Sequence, residues 1–278
     1  MGKLEGKVAI VSGAARGLGR SIAVRLAEEG AHIIAIDACR PVHTAPYDMS
    51  SPDDLEHTAK LVTDLDRRVL TAEVDVRDLG RLREAVREGV SLLGGIDIVC
   101  ANAGIASFAP ALDMDEDMWR EMIDINLTGV WKTIKAAVAP MVEGGRGGAV
   151  IITSSVAGLM GFPNLSHYAA AKHGLVGLMR TLAQELAPNM IRVNTVNPTT
   201  ADTDMVMSDP FYRLCRPDLA EPGREDMAQA AIGLNLLPVP WIEACDVSNA
   251  VAWLASDEAR YVTGVALPID AGFCQKVG

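Results

Sequence analysis

The feature that most constrains the fold is a regular alternation of short apolar runs and amphipathic stretches along the chain. The apolar runs are rich in β-branched residues and continuously apolar, which is typical of strands covered on both faces. The stretches between them have helical periodicity. We therefore predict an α/β fold with a parallel, doubly wound sheet and helices on both faces. Seven strands are predicted, at residues 7–13, 32–37, 69–75, 96–104, 148–155, 191–198 and 264–272, and helices at 17–29, 51–65, 79–93, 115–142, 165–187, 226–236 and 244–256.

The alternation continues without a linker, which predicts one domain over residues 1–278. Two segments, residues 38–50 and residues 198–240, are longer than a minimal strand–helix–strand unit requires. Long loops at the carboxyl ends of strands tend to cover ligands. We expect 38–50 to cover a cofactor and 198–240 to cover a substrate, with harmless surface insertions as the alternative.

The composition disfavours several classes of function. The chain carries 25 Lys and Arg against 36 Asp and Glu, a net charge of −11, which disfavours binding to nucleic acid or to an anionic membrane surface. Its five cysteines contain no CxxC pair and its five histidines no HxxxH or HxH pair, so neither a disulfide framework nor a metal site is predicted. Without a signal-like or membrane-spanning apolar run, we expect a cytoplasmic protein whose partner is a small molecule or a protein.

A glycine-rich turn follows the first strand and opens the first helix. Gly13, Gly17 and Gly19 have the spacing G-x-x-x-G-x-G, with Arg16 and Leu18 between them. The unpaired N–H groups and positive dipole end of a helix favour a phosphate here, and side chains would keep that phosphate away. The turn predicts a dinucleotide-binding site and makes the predicted sheet a Rossmann fold.

Acidic residues end the second and third strands. Asp37 lies 18 residues after Gly19, where a carboxylate can accept hydrogen bonds from both adenine-ribose hydroxyls and would repel a 2′-phosphate. Asp37 therefore favours NAD over NADP; Arg16 points the other way, as a cation suited to a 2′-phosphate, and we give Asp37 the greater weight. Asp75 and Val76 lie where a side chain and a backbone group can hydrogen-bond the adenine ring.

The sequence ANAG ends the fourth strand at residues 101–104. Ala103 and Gly104 are small enough to let the backbone approach a cofactor closely. We expect Asn102 to tie neighbouring strands together by hydrogen bonds as well as to lie at the cofactor site.

A tyrosine and a lysine lie one helical turn apart in the stretch SHYAAAKHGL. Tyr168 and Lys172 share one helix face, so the ammonium can stabilise the phenolate and lower the pKa of the phenol toward working pH. Ser155 ends the fifth strand, 13 residues upstream of Tyr168, and can hold a substrate oxygen beside the phenol; Ser154 fits the spacing less well. Asn126, in an amphipathic helix, can anchor a water that relays protons to Lys172.

Together these motifs resemble the short-chain dehydrogenase/reductase family. The glycine-rich turn, ANAG, the N-x-T-G sequence at Asn126, Ser155 and the Y-x₃-K pair occur in the order typical of that family, and the resemblance extends from about residue 4 to residue 275. It implies hydride transfer between a nicotinamide and a carbinol carbon, with Tyr168 as acid/base and Ser155 orienting the oxygen. It also implies that Lys172 holds the nicotinamide ribose and that Asn126 completes a proton relay.

Within the family, the chain resembles the mycofactocin-associated, carveol dehydrogenase-like subgroup. The extra loop after Asp37, the sequence NPTTADTDM at 197–205 and the ending LPIDAGFCQK carry this resemblance. It implies that the loop folds over bound NAD and retains it between turnovers, with mycofactocin or an artificial dye re-oxidising the cofactor in place. Pro198, Thr200 and Thr203 are candidates for contacting the carboxamide and the pyrophosphate.

Apolar and aromatic side chains with few fixed charges near the expected site favour an apolar substrate. We expect an NAD-dependent dehydrogenase of a hydrophobic secondary alcohol, terpenoid or steroid-like. The alternatives are an NADP-dependent 3-oxoacyl-type carbonyl reductase and a non-catalytic, NAD-sensing regulator. The expected pocket residues are Ser107, Phe108, Met160, Phe162, Met205, Phe211, Tyr212 and Trp241.

Two long predicted helices carry apolar positions that suit self-association. They are Met118 and Trp131 on helix 115–142, and Leu178 and Leu182 on helix 165–187. Members of the resembled family pair these helices in dimers of dimers, which implies a homotetramer.

Overall fold

The apolar runs form the strands of one parallel sheet. Their bounds are β1 (Val8–Ser12), β2 (His32–Asp37), β3 (Val69–Glu73), β4 (Ile98–Ala101), β5 (Gly148–Thr153), β6 (Ile191–Pro198) and β7 (Ala266–Ile269). Neighbouring strands pair in parallel in the order β3-β2-β1-β4-β5-β6-β7. The structure is a computed structural model that describes residues 2–276, so residues 1, 277 and 278 of the predicted domain lie outside it. The predicted seven-stranded, doubly wound, single-domain fold is confirmed.

Successive side chains of each strand enter two separate apolar layers. In β1, Ala9 and Val11 pack in one layer, whereas Val8 and Ile10 pack in the layer on the opposite face. All four are at most 2% exposed. Burial of both faces explains why the strand sequences are continuously apolar rather than alternating.

Helices cover both faces of the sheet. Their bounds are α1 (Gly17–Glu28), α2 (Pro52–Thr63), α3 (Leu79–Leu93), α4 (Glu116–Ile123), α5 (Val130–Gly144), α6 (Ser166–Leu186), α7 (Asp209–Cys215), α8 (Arg224–Ile232) and α9 (Ala244–Ala255). Side chains of α1, α2 and α9 fill one apolar layer, and those of α3, α5 and α6 fill the other.

The structure differs from the predicted helices in three places. The predicted helix 115–142 is divided into α4 and α5 by a π-helical turn over Asp124–Gly129. The short helix α7 was not predicted, because its seven residues are too few for a periodic pattern to be recognised. The helix predicted at 226–236 is α8, which ends at Ile232 because the chain beyond it turns to donate two backbone hydrogen bonds to Ala271.

The neighbouring strands β1 and β4 mark the point where the sheet reverses its direction of winding. β1 pairs with β2 on one side and with β4 on the other, so the connections that leave their carboxyl ends diverge and open a crevice. Gly13, Asp37, Asn102, Ser155 and Pro198 lie at or just beyond the ends of five different strands on this edge.

Within residues 2–276, no helix is both long and apolar enough to cross a membrane. The same residues hold no group of three or more His, Cys, Asp or Glu side chains arranged as metal ligands. That the protein works without a metal remains a prediction from the sequence.

Candidate active site

A cleft with a free volume of about 1270 Å³, including its open mouth, lies at the carboxyl ends of the strands. Thr200 lies outside its lining, although Thr199 and Ala201 contribute to it. The backbone carbonyl of Thr200 instead accepts a hydrogen bond from the N–H of Ile242. The other predicted cofactor residues all line the cleft: Gly13, Arg16, Gly17, Leu18, Gly19, Asp37, Asp75, Val76, Asn102, Ala103, Gly104, Tyr168, Lys172, Pro198 and Thr203.

The glycine-rich turn leaves no room for side chains at two of its three glycines. A Cβ on Gly19 would lie 1.8 Å from the carbonyl oxygen of Gly13, and a Cβ on Gly13 would lie 2.9 Å from Cα of Ala103. Among the described residues, no side chain caps the N-terminus of α1, and the first turn of this helix contains no acidic residue. The turn therefore presents a close-packed backbone and the positive end of a helix to the cleft, an arrangement that suits a phosphate group.

The carboxylate of Asp37 is held at the edge of the cleft by three donors. The N–H groups of Ala15 and Cys39 donate to it at 3.0 and 3.1 Å, and the hydroxyl of Ser50 donates at 2.7 Å. A carboxylate offers roughly four acceptor positions, so one position remains for a hydroxyl of a bound ligand.

Residues 38–50, which we call the strap, close over one side of the cleft. Val42, Tyr47, Met49 and Ser50 of the strap line it. The hydroxyl of Tyr47 accepts a hydrogen bond from the N–H of Ala106 at 2.9 Å, and burial raises the pKa of Tyr47 to about 12. Sequence reasoning identified the strap but none of these four residues. The available signal was a single tyrosine in a proline-containing loop.

Arg16 contacts both the strap and the segment 198–240. Its guanidinium lies 3.7 Å from the carboxylate of Asp204, 3.9 Å from the sulfur of Met49 and 5.9 Å from the ring centroid of Tyr47. The cation that seemed suited to a 2′-phosphate is thus engaged by a carboxylate and by two side chains of the strap.

The carboxylate of Asp75 is occupied by two arginines. Arg77 donates to it from its backbone N–H at 2.8 Å and from its guanidinium, and Arg40 of the strap donates at 2.5 Å. Burial alone would raise the pKa of Asp75, but these hydrogen bonds outweigh it and lower the pKa to about 2. Asp75 is therefore not the free acceptor for adenine that the sequence suggested. Its neighbour Val76 packs against Val42 in a small apolar cluster below the strap.

Asn102 connects three strands, as predicted. Its side-chain N–H donates to the carbonyl of Ser12 in β1 at 3.1 Å, and its side-chain oxygen accepts from the hydroxyl of Thr153 in β5 at 3.0 Å. The hydroxyl of Ser12 in turn accepts from the N–H groups of Asn102 and Ala103. These bonds fix the ends of β1, β4 and β5 relative to one another.

The cleft brings Tyr168, Lys172 and Ser155 together. The ammonium nitrogen of Lys172 lies 5.5 Å from the ring centroid of Tyr168 and donates to the carbonyl of Thr153 at 2.9 Å. The hydroxyl of Ser155 is close enough to the phenol of Tyr168 to affect its pKa, and it accepts a hydrogen bond from the N–H of Ala157 at 3.1 Å. Ser154 also lines the cleft, but its hydroxyl donates to the backbone carbonyl of Lys172 at 3.0 Å.

The pKa of Tyr168 differs from the sequence expectation in its direction. Burial raises the pKa of the Tyr168 phenol, and the nearby hydroxyl of Ser155 only partly opposes this. Burial also lowers the pKa of Lys172 to about 8. The expected lowering of the phenol pKa by Lys172 is not seen, because burial disfavours the charged form of both groups.

Asn126 lies in the π-helical turn and is fully buried. Its side-chain oxygen accepts from the N–H of Ile105, and its side-chain N–H donates to the carbonyl of Ile105, both at 2.8 Å. A Cβ on Gly104 would lie 3.3 Å from the Asn126 oxygen and 3.7 Å from the Lys172 nitrogen. Asn126 therefore fixes the backbone next to Gly104, close to Lys172, although its side chain is not part of the cleft lining.

Only part of the expected substrate pocket coincides with the cleft. Met205 lines it. Phe108 and Phe211 pack edge to face with ring centroids 5.7 Å apart, which joins the segment after β4 to α7. Tyr212 follows Phe211 on α7, and Met160 is 38% exposed outside the cleft lining.

The remaining three expected pocket residues make other contacts. Phe162 packs against Phe273 at a centroid distance of 5.6 Å. Trp241 lies beneath the guanidinium of Arg224, which is 4.5 Å from its ring centroid. The hydroxyl of Ser107 faces the interior and lies 2.8 Å from Nε2 of the buried His167.

Comparison with known proteins gives consistent matches over the chain. A family model described as short chain dehydrogenase matches residues 7–210. The chain is 52% identical over 274 residues to a (-)-trans-carveol dehydrogenase of Rhodococcus erythropolis, with 98% of this chain and 99% of that protein covered. Carveol dehydrogenase from Mycobacterium avium in complex with NAD is 56% identical with a TM-score of 0.98, over 99% of this chain and 100% of that one. A short chain dehydrogenase from Mycobacterium paratuberculosis bound to NAD is 43% identical with a TM-score of 0.91, again over 99% and 100%.

Proposed function

Because this chain belongs to the short-chain dehydrogenase family, we propose that it is an NAD-dependent enzyme that oxidises a hydrophobic secondary alcohol to the ketone. The observation that carries this proposal is the placement of Tyr168, Ser155 and Lys172 in one cleft with the glycine-rich turn. The relatives described as carveol dehydrogenases and the solved structures with NAD support the reaction class and the cofactor.

The chemistry of the cleft fits NAD. The glycine-rich turn and the start of α1 would receive the pyrophosphate, with Thr203 beside Gly17 at that end of the cleft. The remaining acceptor position of Asp37 would take a hydroxyl of the adenine ribose, and its charge disfavours a 2′-phosphate. Lys172 would hold the nicotinamide ribose. When bound, NAD supplies the acceptor for the hydride that leaves the carbinol carbon.

Proton removal is assigned to Tyr168. Tyr168 first loses its phenolic proton through the proposed relay of water and Lys172. Ser155 orients the substrate oxygen toward the resulting phenolate, which then takes the hydroxyl proton. With a pKa of about 8, Lys172 is mostly an ammonium at neutral pH, so its positive charge would be present when the phenolate forms during proton transfer. Because both polar groups of the Asn126 side chain bind Ile105, we assign Asn126 a positioning role beside its proposed place in a water relay.

The apolar walls of the cleft support a hydrophobic substrate. Val42, Ile125, Met205 and Val206 line it. Such walls favour a compact apolar alcohol over a charged one, since an unpaired charge loses its hydration there. A terpenoid or steroid-like alcohol fits this chemistry.

The strap supports the finer proposal that NAD is retained between turnovers and re-oxidised in place by mycofactocin or an artificial dye. The hydroxyl of Tyr47 accepts a hydrogen bond from Ala106, and the hydroxyl of Ser50 donates one to Asp37. The guanidinium of Arg16 lies over the ring of Tyr47. Dissociation of the nucleotide would require these contacts to break, which slows release without changing the chemistry.

Nucleotide analysis and an alcohol panel test the proposal. Mass spectrometry of the ligand released from denatured, purified protein is expected to detect NAD or NADH. Hydrophobic secondary alcohols are then expected to reduce a dye acceptor, with poor turnover when free NAD is the only acceptor. Rapid multiple turnover with free NAD would contradict the proposed retention of NAD but not the proposed dehydrogenase activity. Failure to oxidise any alcohol of the panel would contradict the proposed activity.

We further propose a homotetramer that is built by pairing the α4–α5 and α6 faces of neighbouring subunits. Trp119 and Trp131 are 45% and 39% exposed on α4 and α5, whereas Met118, Leu178 and Leu182 are half-buried. Large apolar side chains left partly open on long helices suit a symmetric interface.

A further inference from the structure

The middle of the strap is anchored to a part of the fold that takes no part in lining the cleft. The backbone N–H and the hydroxyl of Thr44 both donate to the same carboxylate oxygen of Glu121, at 3.0 and 2.8 Å. Glu121 lies on α4, and its side chain is 16% exposed. Its neighbour Met122 packs in the apolar cluster that contains Val42 of the strap.

Glu121 also connects the strap to the end of β3. Its second oxygen accepts from the guanidinium of Arg77 at 2.8 Å, and Arg77 in turn holds Asp75. Asp75 also pairs with Arg40, near the beginning of the strap. Two carboxylates and two guanidinium groups thus form one network that fastens the strap at Arg40 and at Thr44.

The role of Glu121 follows from this geometry. The carboxylate of Glu121 joins the guanidinium of Arg77 to the two donors of Thr44. Its hydrogen bonds are charge-assisted and therefore stronger than bonds between neutral groups. The catalytic mechanism makes no use of Glu121, and its side chain does not reach the cleft lining.

We propose that Glu121 is a positioning residue that holds the strap closed over bound NAD and thereby sets the rate at which the nucleotide dissociates. This inference rests on the proposed retention of NAD. Glu121 acts through Thr44 and touches neither cofactor nor substrate. Loss of its carboxylate frees the middle of the strap, while Tyr47 and Ser50 still hold the part that follows.

Exchange of bound NAD in the purified full-length protein tests the proposal. The protein is mixed with excess NAD deuterated on the nicotinamide ring, and bound nucleotide is analysed by mass spectrometry over time. Glu121→Ala is expected to exchange at least tenfold faster than the parent, which corresponds to about 1.4 kcal/mol. The variant is also expected to gain turnover with free NAD, while its kcat with a dye acceptor stays close to that of the parent.

Variants of the strap and of the same helix provide controls. Thr44→Val removes the hydroxyl donor and is expected to speed exchange, and Thr44→Ser keeps that donor and is expected to exchange like the parent. Glu116→Gln changes another glutamate of α4, whose side chain is 94% exposed, and is also expected to exchange like the parent. If Glu121→Ala fails to fold, Thr44→Val tests the same contact from the strap.

Three results would overturn the inference. Parent-like exchange in folded Glu121→Ala and Thr44→Val contradicts it and leaves retention intact. Fast exchange of NAD in Glu116→Gln as well would show that any substitution on α4 speeds exchange, which contradicts a specific role of Glu121. Rapid exchange of NAD in the parent protein would contradict both the proposed retention of NAD and the role of Glu121. This outcome is recognised from the measurement on the parent alone.

Discussion

At the scale of single residues, burial of the charged side chain of Lys172 lowers the free energy of unfolding of the protein. Its side chain is buried, and Thr153 supplies a backbone carbonyl as acceptor. Burial lowers the pKa of Lys172 from 10.5 to about 8, because the charged form loses its hydration. At neutral pH the folded protein therefore contains a buried ammonium that the unfolded chain would expose to water.

Lys172→Met is expected to abolish alcohol oxidation and to raise the free energy of unfolding at pH 7 by about 1–2 kcal/mol. A pKa shift of this size corresponds to roughly 3 kcal/mol, and the lost bond to Thr153 offsets about 1 kcal/mol of it. Between pH 8 and pH 10.5 the unfolded chain binds the Lys172 proton more than the folded protein does, so the stability of the parent rises with pH across this window.

Thermal unfolding of the ligand-free proteins measures this difference. The Tm of Lys172→Met is expected to exceed that of the parent by several degrees at pH 7, and this gap is expected to shrink toward pH 10. A variant that is less stable than the parent at both pH values would show that the hydrogen bond to Thr153 outweighs the cost of burying the ammonium.

The sequence indicated that Tyr168, Lys172 and Ser155 lie together, but not the direction in which the pKa of Tyr168 is shifted. Tyr168 and Lys172 share a helix face and Ser155 ends a strand, so local geometry alone brings them to one edge of the sheet. The direction of the Tyr168 pKa shift depends instead on how completely the surrounding segments exclude water. The engagement of Asp75 by Arg40 was equally hidden, because it depends on the course of the strap.

At the scale of elements, the glycine-rich turn is the part of the site that tolerates substitution least. A methyl group on Gly19 would overlap the carbonyl oxygen of Gly13, and this clash can be relieved only by opening the turn between β1 and α1. By contrast, a Cβ on Gly161 meets nothing within 4 Å.

Gly19→Ala is expected to purify without bound nucleotide and to lose about 2–4 kcal/mol of stability, as overpacked backbone contacts do. Gly161→Ala is the matched control and is expected to keep both properties of the parent. Nucleotide content and Tm check the two variants together. A Gly19→Ala protein that retained its nucleotide would contradict the assignment of the turn to the pyrophosphate.

The predictability of elements follows the range of the interactions that define them. The start of α2 depends on interactions within four residues, because Ser51 and Asp54 make reciprocal capping hydrogen bonds there. The π-helical turn around Asn126 was not predicted, since it is associated with contacts to Ile105 that are 21 residues away in the sequence. The strap was recognised by its length alone, and its anchor on Glu121 is 77 residues distant.

At the scale of the whole molecule, the continuous apolar runs determined the architecture. Strands buried on both faces, separated by helices, leave few arrangements other than a doubly wound parallel sheet. The sequence pattern does not determine the oligomeric state, because an exposed apolar residue occupies the same kind of helix position whether or not another subunit covers it.

Trp131→Glu tests the proposed tetramer. The substitution places a charge on a face proposed to be buried between subunits, so it is expected to reduce the assembly to dimers or monomers at micromolar concentration. Trp253→Glu alters a tryptophan of similar exposure, 38%, on α9, and shows whether the effect is specific to the α4–α5 face. Size-exclusion chromatography with light scattering gives the mass directly, and an unchanged tetramer in Trp131→Glu would contradict the proposed interface.

Tyr168, as the group that takes the alcohol proton, is central to the proposed function. Its most direct test is a single-turnover measurement in which alcohol is mixed with NAD-loaded enzyme and the near-ultraviolet absorbance of reduced nucleotide is followed. Tyr168→Phe is expected to bind NAD yet to form NADH at least roughly 100-fold more slowly than the parent, the usual scale of losing a general base. Tyr261→Phe, at an 86% exposed tyrosine, is expected to match the parent. Formation of NADH by Tyr168→Phe at the rate of the parent would contradict the account.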